Sequence, residues 1–140
     1  MLFCDTSVLV KLCVAEDGTD TMAEQAAASD AIAVCCIAWV EIMAAMARRR
    51  REQPKDAAAI TRARKRVVAD GPHGLTLDVT QQWVRWAGDC ADAFASRAHD
   101  SVQLAAAHIL HQELPGEVRF SWFDNRLIKA ARVLGIEALG

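Results

Sequence analysis

Four acids stand where a carboxylate has a chemical use. Asp5 closes the apolar start of MLFCDTSVLVKL, and a buried aspartate costs several kcal/mol unless something pairs with it. Glu41 follows a second apolar run, in CIAWVEIMAAMARRR. Asp100 opens an apolar helical stretch in SRAHDSVQLAAAH, and Asp124 follows a further apolar run in VRFSWFDNRLIKAARVLGI. Each has an ordinary alternative. Asp5 and Asp124 could cap helices, Asp100 could answer a helix dipole, and Glu41 could face solvent. Together they are more specific. Four carboxylates in one pocket raise each other's pKa unless a cation compensates. Magnesium and manganese take such hard oxygen ligands. A metal held this way can activate water and neutralise phosphate charge, so the set points to phosphodiester hydrolysis.

The elements that would position these acids can be read from punctuation and periodicity. Continuous, non-alternating apolar runs at 2–4, 31–36, 75–77 and 118–123, with a weaker one at 136–138, suit strands of a parallel sheet buried on both faces. Helical patterns fill 7–15, 20–28, 38–52, 55–69, 81–96, 98–112 and 125–134. Thr80 is the expected N-cap of the fifth helix, and Gly135 the residue ending the seventh. Turn signals fall at Asp17-Gly18, Pro54, Gly71-Pro72-His73-Gly74 and Pro115-Gly116. Strands alternating with helices predict one α/β domain over 1–140, three α/β/α layers around a parallel sheet of four to five strands. In such folds sites gather beyond the carboxyl ends of the strands. Asp5 and Asp124 fall at strand ends, and Glu41 and Asp100 in early helical turns.

Bulk properties narrow the function. The chain has 140 residues, 53% hydrophobic and 24% charged, which suits one globular domain. No apolar run approaches the ~20 residues of a membrane span, and no basic stretch precedes the first apolar run, which argues against a signal peptide. Five cysteines without a CxxC pair, most with apolar neighbours, suit reduced thiols in the cytoplasm rather than a structural zinc site. Net charge is only −2, yet residues 48–66 carry nine Lys or Arg against two acids. That segment could hold an anionic backbone, with Arg48, Arg51, Arg62 and Arg66 as phosphate contacts, or could be a solvated helix pair. Trp83, Trp86, Cys90 and Phe94 lie at helical spacing, as a core stripe does. Trp39 is assigned with Trp83 and Trp86 to the core or a dimer face. An aspartyl-nucleophile phosphotransferase would want a second aspartate at position 7, where Ser7 stands. A receiver domain would want an early acid pair, which is absent.

Nearly the whole chain resembles the PIN domain family, in particular its VapC-like toxin ribonucleases. DTSVLVKL is similar to the family's first motif, VEIMAAMARR to its second, RAHDSVQLAAA to its third and FDNRLIKAARVLGI to its fourth. The resemblance implies a Mg²⁺ or Mn²⁺ site on Asp5, Glu41, Asp100 and Asp124, supported by the hydroxyl of Thr6 or Ser7. It implies an endoribonuclease that hydrolyses RNA phosphodiester bonds, acts as the toxin of a toxin–antitoxin pair, forms a homodimer and is neutralised by a small antitoxin. The alternative is a non-catalytic PIN-like module that binds nucleic acid or an antitoxin. Two positions depart from the pattern. His99 replaces the aliphatic residue before the third acid, and Trp122 replaces a hydroxyl residue two before the fourth.

Overall fold

The computed structural model describes residues 1–13, 19–70 and 74–139. The chain runs β1 (Leu2–Cys4), α1 (Thr6–Cys13), α2 (Thr19–Ala27), β2 (Ile32–Cys35), α3 (Ala38–Glu52), α4 (Ala57–Asp70), β3 (Leu75–Leu77), α5 (Gln81–Phe94), α6 (Ala98–Glu113), β4 (Arg119–Ser121), α7 (Asn125–Val133) and β5 (Glu137–Leu139). The expected last turn of the first helix at 14–15, and the turn signals at Asp17-Gly18 and Gly71-Pro72-His73, lie outside the described residues.

The five strands form one parallel sheet in the order β3-β2-β1-β4-β5. β1 is its centre, and all three of its residues are fully buried. Their side chains alternate between two cores. Phe3 joins the core under α5, α6 and α7, where its ring lies 5.8 Å from that of Phe120. Leu2 and Cys4 face the opposite side and pack with Val8 of α1 and Met22 of α2. Further out on that side, Ile42 and Met46 of α3 meet Ile60 and Ala63 of α4. The fold is therefore the expected α/β/α arrangement. The stripe Trp83, Trp86, Cys90 and Phe94 packs into the first core, whereas Trp39 is half exposed.

Local signals explain where elements begin and end. Thr80 Oγ accepts the backbone N–H of Trp83 and caps α5. Gly135, at φ +80°, closes α7, with Ile136 N–H bonded back to the carbonyl of Ala131. Two helix boundaries within the described residues differ from expectation by two residues, and the others by one at most. Pro54 opens a short 3₁₀ turn (54–56), and α4 starts only at Ala57. α5 stops at Phe94 because Ala95 turns left-handed, at φ 51°. Cys4, Cys35 and Cys90 are buried free thiols whose pKa values burial pushes up to about 12, 11 and 11. They are poor nucleophiles.

The topology fixes where a site can form. From β1 the chain moves outward to β2 and β3, then returns to β4 on the other side of β1. The order reverses between β1 and β4, and the crevice beyond their carboxyl ends is where such folds bind ligands. Asp5 immediately follows β1, and its N–H is bonded to the carbonyl of Ser121, the last residue of β4.

Candidate active site

Beyond that sheet edge lies a cleft of about 1050 Å³. Asp5, Glu41, Asp100 and Asp124 all line it, with Thr6, Ser7 and Gln103 at the acids and Arg48, Arg49, Arg97 and Lys11 along the walls. Elements far apart in sequence therefore deliver the four acids to one place.

Asp5 is 5% exposed and holds two roles at once. It caps α1: Oδ2 accepts from Ser7 N–H at 3.0 Å, and Oδ1 accepts from Val8 N–H at 3.1 Å and Ser7 Oγ at 2.7 Å. Burial nevertheless pushes its pKa up to about 6; the Ser7 and Val8 donors oppose that rise and the Glu41 charge adds to it. Asp5 thus caps α1 and lines the cleft at the same time, so the cap does not take it out of the cleft.

Glu41 lies in the first turn of α3. Its Oε2 accepts a short hydrogen bond from Thr6 Oγ and another, 2.8 Å long, from Gln103 Nε2. Gln103 Nε2 also reaches Thr6 Oγ at 3.2 Å. Thr6 thus serves Glu41, while Ser7 serves Asp5.

Asp100 is 4% exposed and engaged on both oxygens. Arg97 Nε donates to Oδ2 at 2.7 Å, and His99 Nε2 lies 3.2 Å from Oδ1. Asp124 is the N-cap of α7, accepting Arg126 N–H at 2.8 Å, and the same arginine's guanidinium lies 3.2 Å from Oδ2. These bonds hold its carboxyl below the usual range. The hydrogen bond to Asp100 and that residue's charge raise the pKa of Arg97, and the charges of Asp124 and Glu41 add to the rise.

The basic segment divides. Arg48 and Arg49 line the cleft, and Arg49 also pairs with Asp56 at 3.3 Å. Arg50, Arg64 and Lys65 line a separate groove between α3 and α4, with Met43, Met46 and Ile60. Arg51, Arg62 and Arg66 are exposed and line neither.

Two residues of the site were not singled out from sequence. Gln103 carried a signal: it is a lone amide inside the apolar run Val102–Ala107. Arg97 carried none, because an arginine three residues before a helical aspartate is commonplace on surfaces.

Four carboxylates are hard oxygen donors, and as a donor set they fit Mg²⁺ or Mn²⁺. Asp5, buried and pushed toward the neutral form, is a carboxylate that a cation would stabilise. Among the described residues, however, no three His, Cys, Asp or Glu side chains stand together as a ready cage. Asp100 and Asp124 turn instead to their arginines.

The PIN domain model matches residues 2–133. The chain belongs to the PIN domain family. PIN domains are generally nucleases and generally use a divalent metal. Among solved structures, this PIN domain is similar to a toxin–antitoxin complex from Klebsiella pneumoniae, at TM-score 0.58 and 17% identity, over 89% of this chain and 87% of that one. It is also similar to VapBC2 from Rickettsia felis bound to a DNA fragment from its promoter, at TM-score 0.64 and 11% identity, over 99% and 98%. At these identities the likeness is one of fold. A comparison with curated protein sequences gives no match. No helix among the described residues is long and apolar enough to cross a membrane.

Proposed function

We propose that this PIN domain is a Mg²⁺- or Mn²⁺-dependent endoribonuclease, the toxin of a toxin–antitoxin pair acting in the cytoplasm. One observation carries the reading: Asp5, Glu41, Asp100 and Asp124 line a single cleft beyond the carboxyl edge of the sheet. The family membership supports a nuclease, and the likeness to toxin structures supports the narrower class.

In this reading the four acids would hold the metal. Bound there, it would supply Lewis-acid activation of water and neutralise charge building on the phosphate. The chain's own residues do the rest. Asp5 is locked by the α1 cap, so its carboxylate is fixed before any ligand arrives. Thr6 and Gln103 hold Oε2 of Glu41 and leave Oε1 to the cleft's contents. Arg48 and Arg97 offer cations to the RNA backbone on either side of the acids. Arg97 uses Nε on Asp100 Oδ2, and its terminal N–H groups would be the donors to a phosphate. Arg51, Arg62 and Arg66 belong to the same proposal as outer phosphate contacts. A homodimer does too, and the half-exposed Trp39 and exposed Val40 at the head of α3 supply an apolar patch for it.

The rival is a PIN module that binds an antitoxin or nucleic acid without cutting. What favours it is the pairing of Asp100 and Asp124 with arginines in place of a ready cage. Antitoxin-free protein incubated with 5′-labelled structured RNA and Mn²⁺ separates the two. The nuclease reading predicts cleavage that stops with EDTA and in Asp5→Asn. Cleavage that survives either control, or a folded protein that binds RNA and never cuts any RNA, would favour the rival or an unrelated site.

A further inference from the structure

Gln103 sits one turn beyond Asp100 on α6 and is 1% exposed. The buried run Leu104–Ala107 follows it directly. Packing alone would be satisfied there by leucine or methionine. The amide instead costs the fold something, because its Oε1 is buried with no hydrogen-bond partner among the described residues. Its Nε2 shows what that cost accompanies. Nε2 donates to Glu41 Oε2 at 2.8 Å and reaches Thr6 Oγ at 3.2 Å, while Thr6 Oγ donates to the same Oε2. Three side chains from α1, α3 and α6 close a ring of hydrogen bonds on one carboxylate oxygen. The reverse amide orientation would set oxygen against oxygen, so only this one serves.

We infer that Gln103 is a positioning residue: it fixes Glu41 through Oε2 and so presents Oε1 to the cation and RNA in the cleft. The inference rests on the nuclease reading above. It also explains why an orphaned carbonyl is kept at the centre of α6. A residue that served stability would not leave half of its amide unsatisfied.

The test is Gln103→Met, which keeps length and approximate volume and removes both donors. Three readouts are taken on the full chain: thermal melting without metal, Mn²⁺ affinity by electron paramagnetic resonance, and single-turnover cleavage of 5′-labelled structured RNA. The variant should melt no lower than wild type, since the orphaned carbonyl is gone. Mn²⁺ affinity and the saturating cleavage rate should each fall about 10-fold, as happens when a ligating group loses the partner that orients it. The protein concentration giving half-saturation with RNA should stay within about 2-fold, the pattern of a group that acts on the reacting centre rather than on overall binding. Thr6→Val removes the other donor and should reproduce the defect, and the double variant should be no worse than either single one. Wild-type Mn²⁺ affinity and rate in Gln103→Met would overturn the inference. So would a fall in melting temperature in both Gln103→Met and Thr6→Val that accounts for the lost activity. If wild-type protein itself neither bound Mn²⁺ nor cut RNA, the nuclease reading would fall and the inference with it. If wild type did both and Gln103→Met matched it, the inference alone would fall.

Discussion

Asp5 shows at residue scale how one side chain serves fold and site together. Three donors from the first turn of α1 hold its carboxylate, yet burial still pushes its pKa up to about 6 from 3.8. The folded chain therefore binds the Asp5 proton more tightly than the unfolded chain does. The stability this provides is complete below pH 3.8 and is lost as pH rises through about 6. A shift of this size corresponds to about 3 kcal/mol. The amide that Asp5→Asn introduces cannot titrate. In EDTA the stability of that variant should therefore fall less than that of wild type between about pH 4 and pH 7.5, by an amount on that order. Urea unfolding at the two pH values measures it, and parallel losses would show that Asp5 ionises freely in the fold. The sequence made Asp5 conspicuous because an acid followed an apolar run. It could not show that the cap also lines a cleft, since that depends on β4 arriving beside β1. Gln103 was legible only as an oddity, because its partners lie 62 and 97 residues away.

At the scale of elements, helical geometry decides what the arginine run can do. Successive residues of α3 turn about 100° apart. Arg48 and Arg49 reach the acidic cleft, while Arg50 lines the groove against α4. The sequence showed the run but not its facing, because the facing depends on how α3 docks on α1 and α4. Replacing Arg48 by Glu should weaken RNA binding and flatten the plot of log affinity against log salt by about 0.7, the slope that one neutralised phosphate supplies on a single strand. The paired change Arg62→Glu and Arg66→Glu tests the outer arginines in the same assay. An unchanged slope in either experiment would return those residues to solvated surface. Strands and most helix ends were readable because each rested on local chemistry: continuous apolar runs, the Thr80 cap, the Gly135 turn. The 3₁₀ turn at Pro54 and the left-handed Ala95 were not, since Pro opens an α-helix as readily as a 3₁₀ turn and no glycine marks position 95.

At the scale of the molecule, the parallel order β3-β2-β1-β4-β5 turns four dispersed acids into one acidic wall. The sequence carried this convergence only as a consequence of the fold class. It carried nothing of Arg97, whose guanidinium pairs with Asp100 in that wall. In the proposed function this wall is a cation site. Mn²⁺ titration of the wild-type protein, followed by electron paramagnetic resonance and repeated on Asp100→Asn, tests it without knowledge of the RNA target. Wild type should bind Mn²⁺ saturably, and the variant at least about 10-fold more weakly. A folded wild-type protein that takes up no Mn²⁺, or an Asp100→Asn variant that binds it equally well, would contradict the claim.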